Sequence, residues 1–160
     1  DHGTDALRMF LLKEVSNFED SPFTMERFQA AYNANLANGL GNLASRILTL
    51  SEKYLDSCPQ LSETISPAFF DLMEQFNIQA AAEYVWADIK SLDKYIQETE
   101  AFKTIKTDEG KGRELIKEYT ARLYSIVMML SPFMPQTYEV LKDLIQKNKK
   151  PEASLFTRLS

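Results

Sequence analysis

The segment from Asn35 to Arg46 has the sequence NLANGLGNLASR, and it decides how the chain around it folds. Apolar side chains recur every three or four residues through this segment and the next, at Leu36, Leu40, Leu43, Ile47, Leu50 and Tyr54. That spacing places them on one face of an α-helix. The pattern predicts a single long helix that is capped by Thr24 and runs to about Asp56.

A second stripe of the same predicted helix is polar. At about 100° per residue, Asn35, Asn38, Asn42 and Arg46 fall together beside the apolar face. Asparagine is a poor residue for a helix interior, because its amide competes for the backbone. Helix stability therefore does not explain this alignment, and we interpret the stripe as a candidate functional site. The two glycines within the segment predict a bend or a close approach by another part of the chain.

The rest of the chain is also predicted to be helical. Only five glycines and six prolines interrupt it, and the alternation typical of strands is absent. We predict one all-α domain over residues 1–160, a bundle of about five to seven helices. Its core is expected to bury Leu36, Leu40, Leu43, Ile47, Val85, Ile89, Ile126 and Phe133. Ser66 and Pro67 suit the cap and first residue of one helix. The helices other than the long one are expected at about 5–14, 67–76, 77–98, 108–130 and 136–147, with loops through Asn17, Asp20 and Pro22 and over 99–107.

Composition limits the classes of function. The net charge of −5 argues against a general binder of polyanions, although single-stranded RNA can be recognised by local contacts. Cys58 and His2 are the only cysteine and histidine, so neither an internal disulfide nor a zinc site is expected. No apolar run is long enough for a membrane span, and no signal peptide is recognisable. We expect a cytoplasmic protein without a membrane partner, and we interpret the chain as a fragment of a longer one.

Short motifs along the whole chain resemble those of one family. They are Asp5-Ala6-Leu7-Arg8, Asn35-Leu36-Ala37-Asn38, Leu40-Gly41-Asn42-Leu43-Ala44-Ser45-Arg46, Lys94-Tyr95-Ile96, Ser131-Pro132-Phe133-Met134-Pro135 and Leu155-Phe156-Thr157-Arg158. In this order they resemble the C-terminal anticodon-binding domain of methionyl-tRNA synthetases, which are class I aminoacyl-tRNA synthetases. Residues 1–14 resemble the linker from the catalytic domain. The resemblance implies a helical domain that binds the anticodon loop of methionine tRNA.

The resemblance also implies which residues contact the anticodon. Asn42 and Arg46 stand where the family has its anticodon-contacting asparagine and arginine, and Asn38 is a supporting candidate one turn earlier. An amide offers donors and acceptors, and a guanidinium offers a fork of donors. Cytosine, the first anticodon base of methionine tRNA, presents acceptors at O2 and N3 that suit arginine. The alternative for this stripe is that it is solvated or caps neighbouring loops.

The family usually has a Pro-Trp pair whose tryptophan stacks on an anticodon base, and here the chain departs from it. Alignment through the Lys-Tyr-Ile motif places Ala101 and Phe102 at these positions. Phenylalanine can still stack, with less surface and no indole N–H. Trp86 lies beside the apolar stripe of its own predicted helix, and we expect it in the core.

Positive charge near Phe102 suggests contacts with the RNA backbone. Lys103 and Lys106 are the candidates for meeting the phosphates of the anticodon stem, and a solvated face is the alternative. Arg8 is expected to make a structural or interdomain contact. Lys147, Lys149 and Lys150 are expected to belong to a solvated tail.

No catalytic site is expected within the chain. The His-Ile-Gly-His and Lys-Met-Ser-Lys-Ser motifs with which class I synthetases bind ATP are absent, as are a phosphate loop and a catalytic triad. The resemblance implies a parent enzyme that uses ATP to attach methionine to its tRNA, with a catalytic domain as this chain's partner. Two alternatives stay open: a structural helical domain with a degraded RNA site, and the equivalent domain of another class I synthetase.

Overall fold

The computed structural model describes residues 3–14 and 23–160, and all regular elements in these ranges are helical. The predicted loop through Asn17, Asp20 and Pro22 lies outside the described residues, as does His2. In chain order the elements are α1 (Thr4–Glu14), α2 (Met25–Tyr32), a π-helical segment (Asn33–Gly41), α3 (Asn42–Tyr54), α4 (Pro67–Glu74), α5 (Ile78–Thr99), α6 (Ala101–Thr107), α7 (Glu109–Leu130) and α8 (Pro135–Gln146).

The long helix predicted from the sequence is present as α2, the π segment and α3 in one continuous rod. The Thr24 hydroxyl accepts a hydrogen bond from the backbone N–H of Arg27, as expected of an N-cap. Asn33 and Asn42, at the two junctions, both have right-handed helical dihedral angles, so the backbone continues without a break. The rod ends at Tyr54, because Leu55 is extended.

The middle of this rod is wider than an α-helix, which the sequence did not predict. Over Asn33–Gly41 the backbone is π-helical, a form that is rare and often found at functional sites. A Cβ on Gly41 would lie 3.1 Å from Cδ2 of Phe156, so the glycine admits this ring from the C-terminal tail. The Asn33 amide bonds the tail as well, donating to the Leu159 carbonyl at 2.9 Å and accepting from its N–H at 2.8 Å.

The helices share one hydrophobic core, with α7 packed against α3, α5, α6 and α8. The side chains predicted to be buried are at most 4% exposed: Leu36, Leu40, Leu43, Ile47, Val85, Ile89, Ile126 and Phe133. Trp86 is also 4% exposed, which confirms its place in the core. Within the described residues, no helix is both long enough and apolar enough to cross a lipid bilayer.

Two local predictions were wrong. The stretch 99–107 was predicted as a loop but contains α6 from Ala101 to Thr107. Glu100 has a left-handed conformation (φ 44°) that reverses the chain after α5, and α6 buries Ala101 and Ile105 against the core. Ser66 precedes Pro67 as expected, but its hydroxyl bonds the Tyr84 hydroxyl at 2.8 Å and does not cap α4.

Side chains of α1 anchor the start of the chain to the beginning of α8. Arg8 donates from Nε and Nη2 to the carbonyls of Phe133 and Pro132, at 3.0 and 2.9 Å. Asp5 is buried, and its Oδ2 accepts from both the N–H and the hydroxyl of Thr137, in the first turn of α8. A carboxylate at a helix N-terminus is favourable, because it faces unpaired N–H groups and the positive end of the helix dipole. Two of the sequence motifs are therefore in direct contact.

Candidate nucleic-acid interface

An open cleft of about 620 Å³ lies between α3, α5 and α6. Its volume is in the range of sites for small ligands, about 300–1,000 Å³. Buried Leu43 and Ile96 contribute apolar surface, and the other lining residues are Asn38, Asn42, Ser45, Arg46, Thr49, Leu50, Asp93 and Phe102. The cleft thus brings together the four residues proposed from the sequence to contact bases, namely Asn38, Asn42, Arg46 and Phe102.

The two asparagines of the cleft are exposed and have free amides. Neither Asn38 nor Asn42 makes a side-chain hydrogen bond with any other described residue. Asn35 was placed on the same stripe, but its Nδ2 donates back to the Ala31 carbonyl at 2.9 Å and it does not line the cleft. The stripe was drawn with 100° per residue, but Asn35 lies within the π segment, where each turn holds more residues than an α turn and this spacing fails.

Arg46 of α3 forms an ion pair with Asp93 of α5 within the cleft. Its Nη1 donates to Oδ1 of Asp93 at 2.8 Å, and the two side chains are 47% and 38% exposed. The other carboxylate oxygen, Oδ2, accepts from Nε2 of Gln97 at 2.5 Å, one turn further along α5. Asp93 was not singled out from the sequence. It precedes the Lys-Tyr-Ile motif directly, but nothing in the residue pattern showed that this turn of α5 faces Arg46.

Phe102 presents its ring from α6 and is 43% exposed. Burial of its neighbour Ala101 fixes the start of this short helix, and the Ala101 N–H donates to the Tyr119 hydroxyl of α7 at 3.3 Å. A proline at position 101, as in the family pattern, would have no N–H for this bond. The aromatic ring is therefore carried by an ordered helix and not by a loop.

The two candidate lysines of α6 differ in their surroundings. Lys103 pairs with Glu100 at 2.6 Å, and its ammonium lies 5.6 Å from the centre of the Phe102 ring. Lys106 is exposed and forms no ion pair with the rest of the described chain. Lys106 is thus the lysine whose charge is available without breaking an internal contact. The lysines after α8 are engaged, since Lys147 pairs with Asp143 and Lys149 and Lys150 with Glu52.

Tyr95 connects α5 to α7. Its hydroxyl donates to Oε2 of Glu118 at 2.8 Å, its ring packs edge-to-face on Tyr119, and the Arg122 guanidinium lies 5.0 Å from the ring centre. The hydrogen bond to Glu118, and secondarily burial, raise the pKa of the Tyr95 hydroxyl. The tyrosine of the Lys-Tyr-Ile motif has a structural role here, whereas the isoleucine lines the cleft.

Potential metal-ligating side chains do not cluster among the described residues. No group of three or more His, Cys, Asp or Glu side chains lies close enough together there to hold a metal ion. The cleft presents an aromatic surface, two free amides, a guanidinium and a carboxylate. These groups suit a flat polar ligand with donors and acceptors on its edge.

Comparison with known proteins places this chain beside class I tRNA synthetases. A family model described as tRNA synthetases class I (M) matches residues 1–48. The methionine–tRNA ligase of Clostridium acetobutylicum is 32% identical over 156 residues, which cover 88% of this chain and 24% of that protein. The corresponding ligase of Streptomyces coelicolor is 32% identical over 160 residues, covering 88% and 30%. The chain thus spans about a quarter of the length of the curated relatives it matches.

A solved structure supports the fold. The apo form of Mycobacterium tuberculosis methionyl-tRNA synthetase superposes on 98% of this chain and 39% of its own, with a TM-score of 0.77. At 23% identity this likeness concerns the fold alone, and it confirms the all-α architecture predicted from the sequence.

Proposed function

Because this chain belongs to the methionyl-tRNA synthetase family, we propose that it recognises the anticodon loop of methionine tRNA within a longer, ATP-dependent methionine–tRNA ligase. The observation that carries the proposal is the convergence of Asn42, Arg46 and Phe102 on one open cleft. Unstacked bases of single-stranded RNA are recognised by aromatic stacking together with hydrogen bonds to the Watson–Crick edge. The cleft offers both kinds of contact to the same base.

The ring of Phe102 provides the stacking surface. Stacking of a base on an aromatic side chain is worth about 1–3 kcal/mol and does not depend on which base is present. The N–H groups of Arg46 then supply sequence preference, because the O2 and N3 atoms of cytosine both accept hydrogen bonds. The free amides of Asn42 and Asn38 extend the polar wall on the same side.

The RNA backbone is contacted from α6. Lys106, with no internal ion pair among the described residues, is positioned to neutralise a phosphate, and Lys103 shares this role in competition with Glu100. Such contacts release counterions and do not depend on base sequence. They explain how a chain with net charge −5 binds RNA through a small local region.

The reaction itself belongs to the remainder of the longer protein. ATP and methionine would bind the catalytic domain, which is this chain's partner, and the cleft lacks a phosphate-binding loop. Leu7 and Leu11 are exposed on one face of α1, four residues apart, and suit a contact with that domain. Isothermal titration of this chain with ATP or methionine is expected to give no heat of binding, and stoichiometric binding of either would contradict this division of roles.

One binding experiment separates the proposal from its alternatives. A fluorescent stem–loop with the methionine anticodon is titrated with the chain, in parallel with a stem–loop in which only the first anticodon base is changed. We expect tighter binding of the cognate loop. No binding of either loop would favour a purely structural helical domain, and a preference for another anticodon would favour a different class I synthetase.

A further inference from the structure

Arg46 of α3 and Asp93 of α5 meet in the cleft, and one is a cation whereas the other is an anion. The guanidinium presents only donors, and the carboxylate presents only acceptors. The pair is joined by a single contact, from Nη1 to Oδ1 at 2.8 Å. Both side chains remain more than one-third exposed, so neither is enclosed by the other.

Each partner retains hydrogen-bonding capacity for a ligand. A guanidinium has five N–H donors, and the contact with Asp93 uses one of them. A carboxylate has about four lone-pair directions, of which Arg46 and Gln97 occupy two. The cleft therefore carries free donors next to free acceptors, held at a fixed separation by the ion pair.

This order of groups matches the edge of one pyrimidine. The Watson–Crick edge of cytosine has acceptors at O2 and N3 followed by a donor, the N4 amino group. Uracil reverses the last two, with a donor at N3 and an acceptor at O4. A carboxylate accepts readily from the amino group of cytosine but repels the carbonyl oxygen of uracil.

We propose that Asp93 is a specificity-determining residue of this cleft, accepting a hydrogen bond from the N4 amino group of a cytosine whose O2 and N3 are bound by Arg46. The inference rests on the proposed function, since it specifies how the same cleft selects its base. Asp93 thereby has two tasks: it fixes the Arg46 guanidinium, and it excludes bases that present an acceptor at this position. Gln97 contributes by holding Oδ2, which orients the carboxylate.

A modified base tests the proposed hydrogen bond between Asp93 and the N4 amino group, because it lacks that group alone. Pyrimidin-2-one keeps the O2 and N3 acceptors of cytosine but lacks the amino group. Stem–loops with cytosine, pyrimidin-2-one or uracil as first anticodon base are titrated with the wild-type chain, with Asp93→Ala and with Asp93→Asn. The control variant is Glu98→Ala, which removes a carboxylate from the same helix outside the cleft.

The wild-type chain and the control are expected to prefer cytosine over pyrimidin-2-one by about tenfold, the size of one base-edge contact. Asp93→Ala should bind these two loops equally. Asp93→Asn should keep part of that preference and lose discrimination against uracil, because an amide can either accept from N4 or donate to O4. Circular dichroism confirms that each variant is folded.

Two results would overturn the inference, and they differ from failure of the proposed function. If Asp93→Ala weakens the cytosine and pyrimidin-2-one loops by the same factor, Asp93 acts only by positioning Arg46. If the Asp93 variants keep the full wild-type preference for cytosine, Asp93 has no part in selection. In both cases the chain still recognises the loop, whereas a wild-type chain that binds no loop would remove the proposed function itself.

Discussion

Gly112 of α7 and Ile105 of α6 are in backbone contact. A Cβ placed on Gly112 would lie 2.5 Å from both Cα and Cβ of Ile105, closer than real Cβ atoms approach their neighbours. The absence of a side chain at position 112 therefore sets how closely α6 lies on α7. Since α6 carries Phe102 and Lys106, this one glycine positions the aromatic and basic parts of the candidate interface.

Gly112→Ala is expected to destabilise the fold by about 1–3 kcal/mol, the usual cost of forcing extra volume into a packed contact. Binding of the cognate stem–loop should weaken as well, because α6 must shift. Gly110→Ala is the matched control in the same helical turn, where a Cβ would meet only Asp108 Oδ1, at 3.6 Å. It should stabilise by about 0.4–1 kcal/mol. Urea unfolding measures the stability of both variants. Equal stability of Gly112→Ala and Gly110→Ala would contradict the close contact between Gly112 and Ile105.

Arg46→Ala should weaken binding of the cognate loop by about 1–3 kcal/mol, by analogy with bidentate base contacts in DNA complexes. The loss should largely vanish for a loop whose first base is not cytosine, because the discriminating contact is already missing there. Folding stability should change by less than about 1 kcal/mol, since the ion pair with Asp93 is exposed. Fluorescence titration and urea unfolding give the two quantities. An equal loss for both loops would assign Arg46 to the RNA backbone.

Phe102→Ala should cost about 1–3 kcal/mol in binding any loop whose base stacks on the ring. Phe102→Trp should preserve or tighten binding, since the larger ring offers more stacking surface and position 102 is 43% exposed. The two variants are titrated with both stem–loops. Unchanged binding by Phe102→Ala would remove the stacking surface from the site, and weaker binding by Phe102→Trp would show that the cleft is too narrow for indole.

Lys106→Ala should weaken cognate and altered loops alike, and it should lower the slope of log K against log salt by about 0.7–0.9, as for the loss of one phosphate contact. Lys147→Ala is the control, because this lysine pairs with Asp143 outside the cleft. Titrations at several salt concentrations provide the slopes. The same slope for wild type and Lys106→Ala would mean that this lysine faces solvent in the complex.

The hydrogen bond between Tyr95 and Glu118 predicts a pH-dependent stability. Because the folded state raises the pKa of Tyr95 above its ordinary value of 10.0, the stabilisation is present below that value and is lost as pH rises through the higher folded pKa. The destabilisation caused by Tyr95→Phe should therefore be smaller at about pH 10.5 than at about pH 8. Urea unfolding of the wild-type chain and Tyr95→Phe at both pH values measures this destabilisation. Glu118→Gln should reduce the difference, because the hydrogen bond to the Glu118 carboxylate is the largest cause of the raised pKa of Tyr95, while burial remains.

The helices and their core could be predicted from the sequence because local periodicity and capping residues determine them. Thr24, the predicted N-cap, accepts the expected hydrogen bond, and Asn77 and Asp108 do the same at the starts of α5 and α7. The π segment and α6 could not be predicted, since both depend on packing between separate elements and not on periodicity within one element. Phe156 and Leu159 pack on the π segment from the far end of the chain, and α6 depends on the contact between Ile105 and Gly112.

The candidate interface could be predicted only where it depends on spacing within one helix or on the family motif. Asn42 and Arg46 share one helix, so their relation follows from α-helical spacing, and Phe102 came from the family motif. The position of Asn35 was missed, because the spacing rule fails where the helix widens. Asp93 was missed because its role depends on how α5 lies against α3, which no local pattern encodes.

The link between Asn33 and Leu159 has a consequence for the order of events as the chain is made. A growing polypeptide emerges from its N-terminal side at about 5–20 residues per second, and Leu159 follows Asn33 by 126 positions. The nascent rod therefore exists for several seconds without the tail that bonds Asn33 and packs against Gly41. We expect the rod to form first as an ordinary helix, with its widened centre appearing only when the tail docks. Completion of the candidate interface would then be a late, long-range step, slower than formation of the helices that carry it.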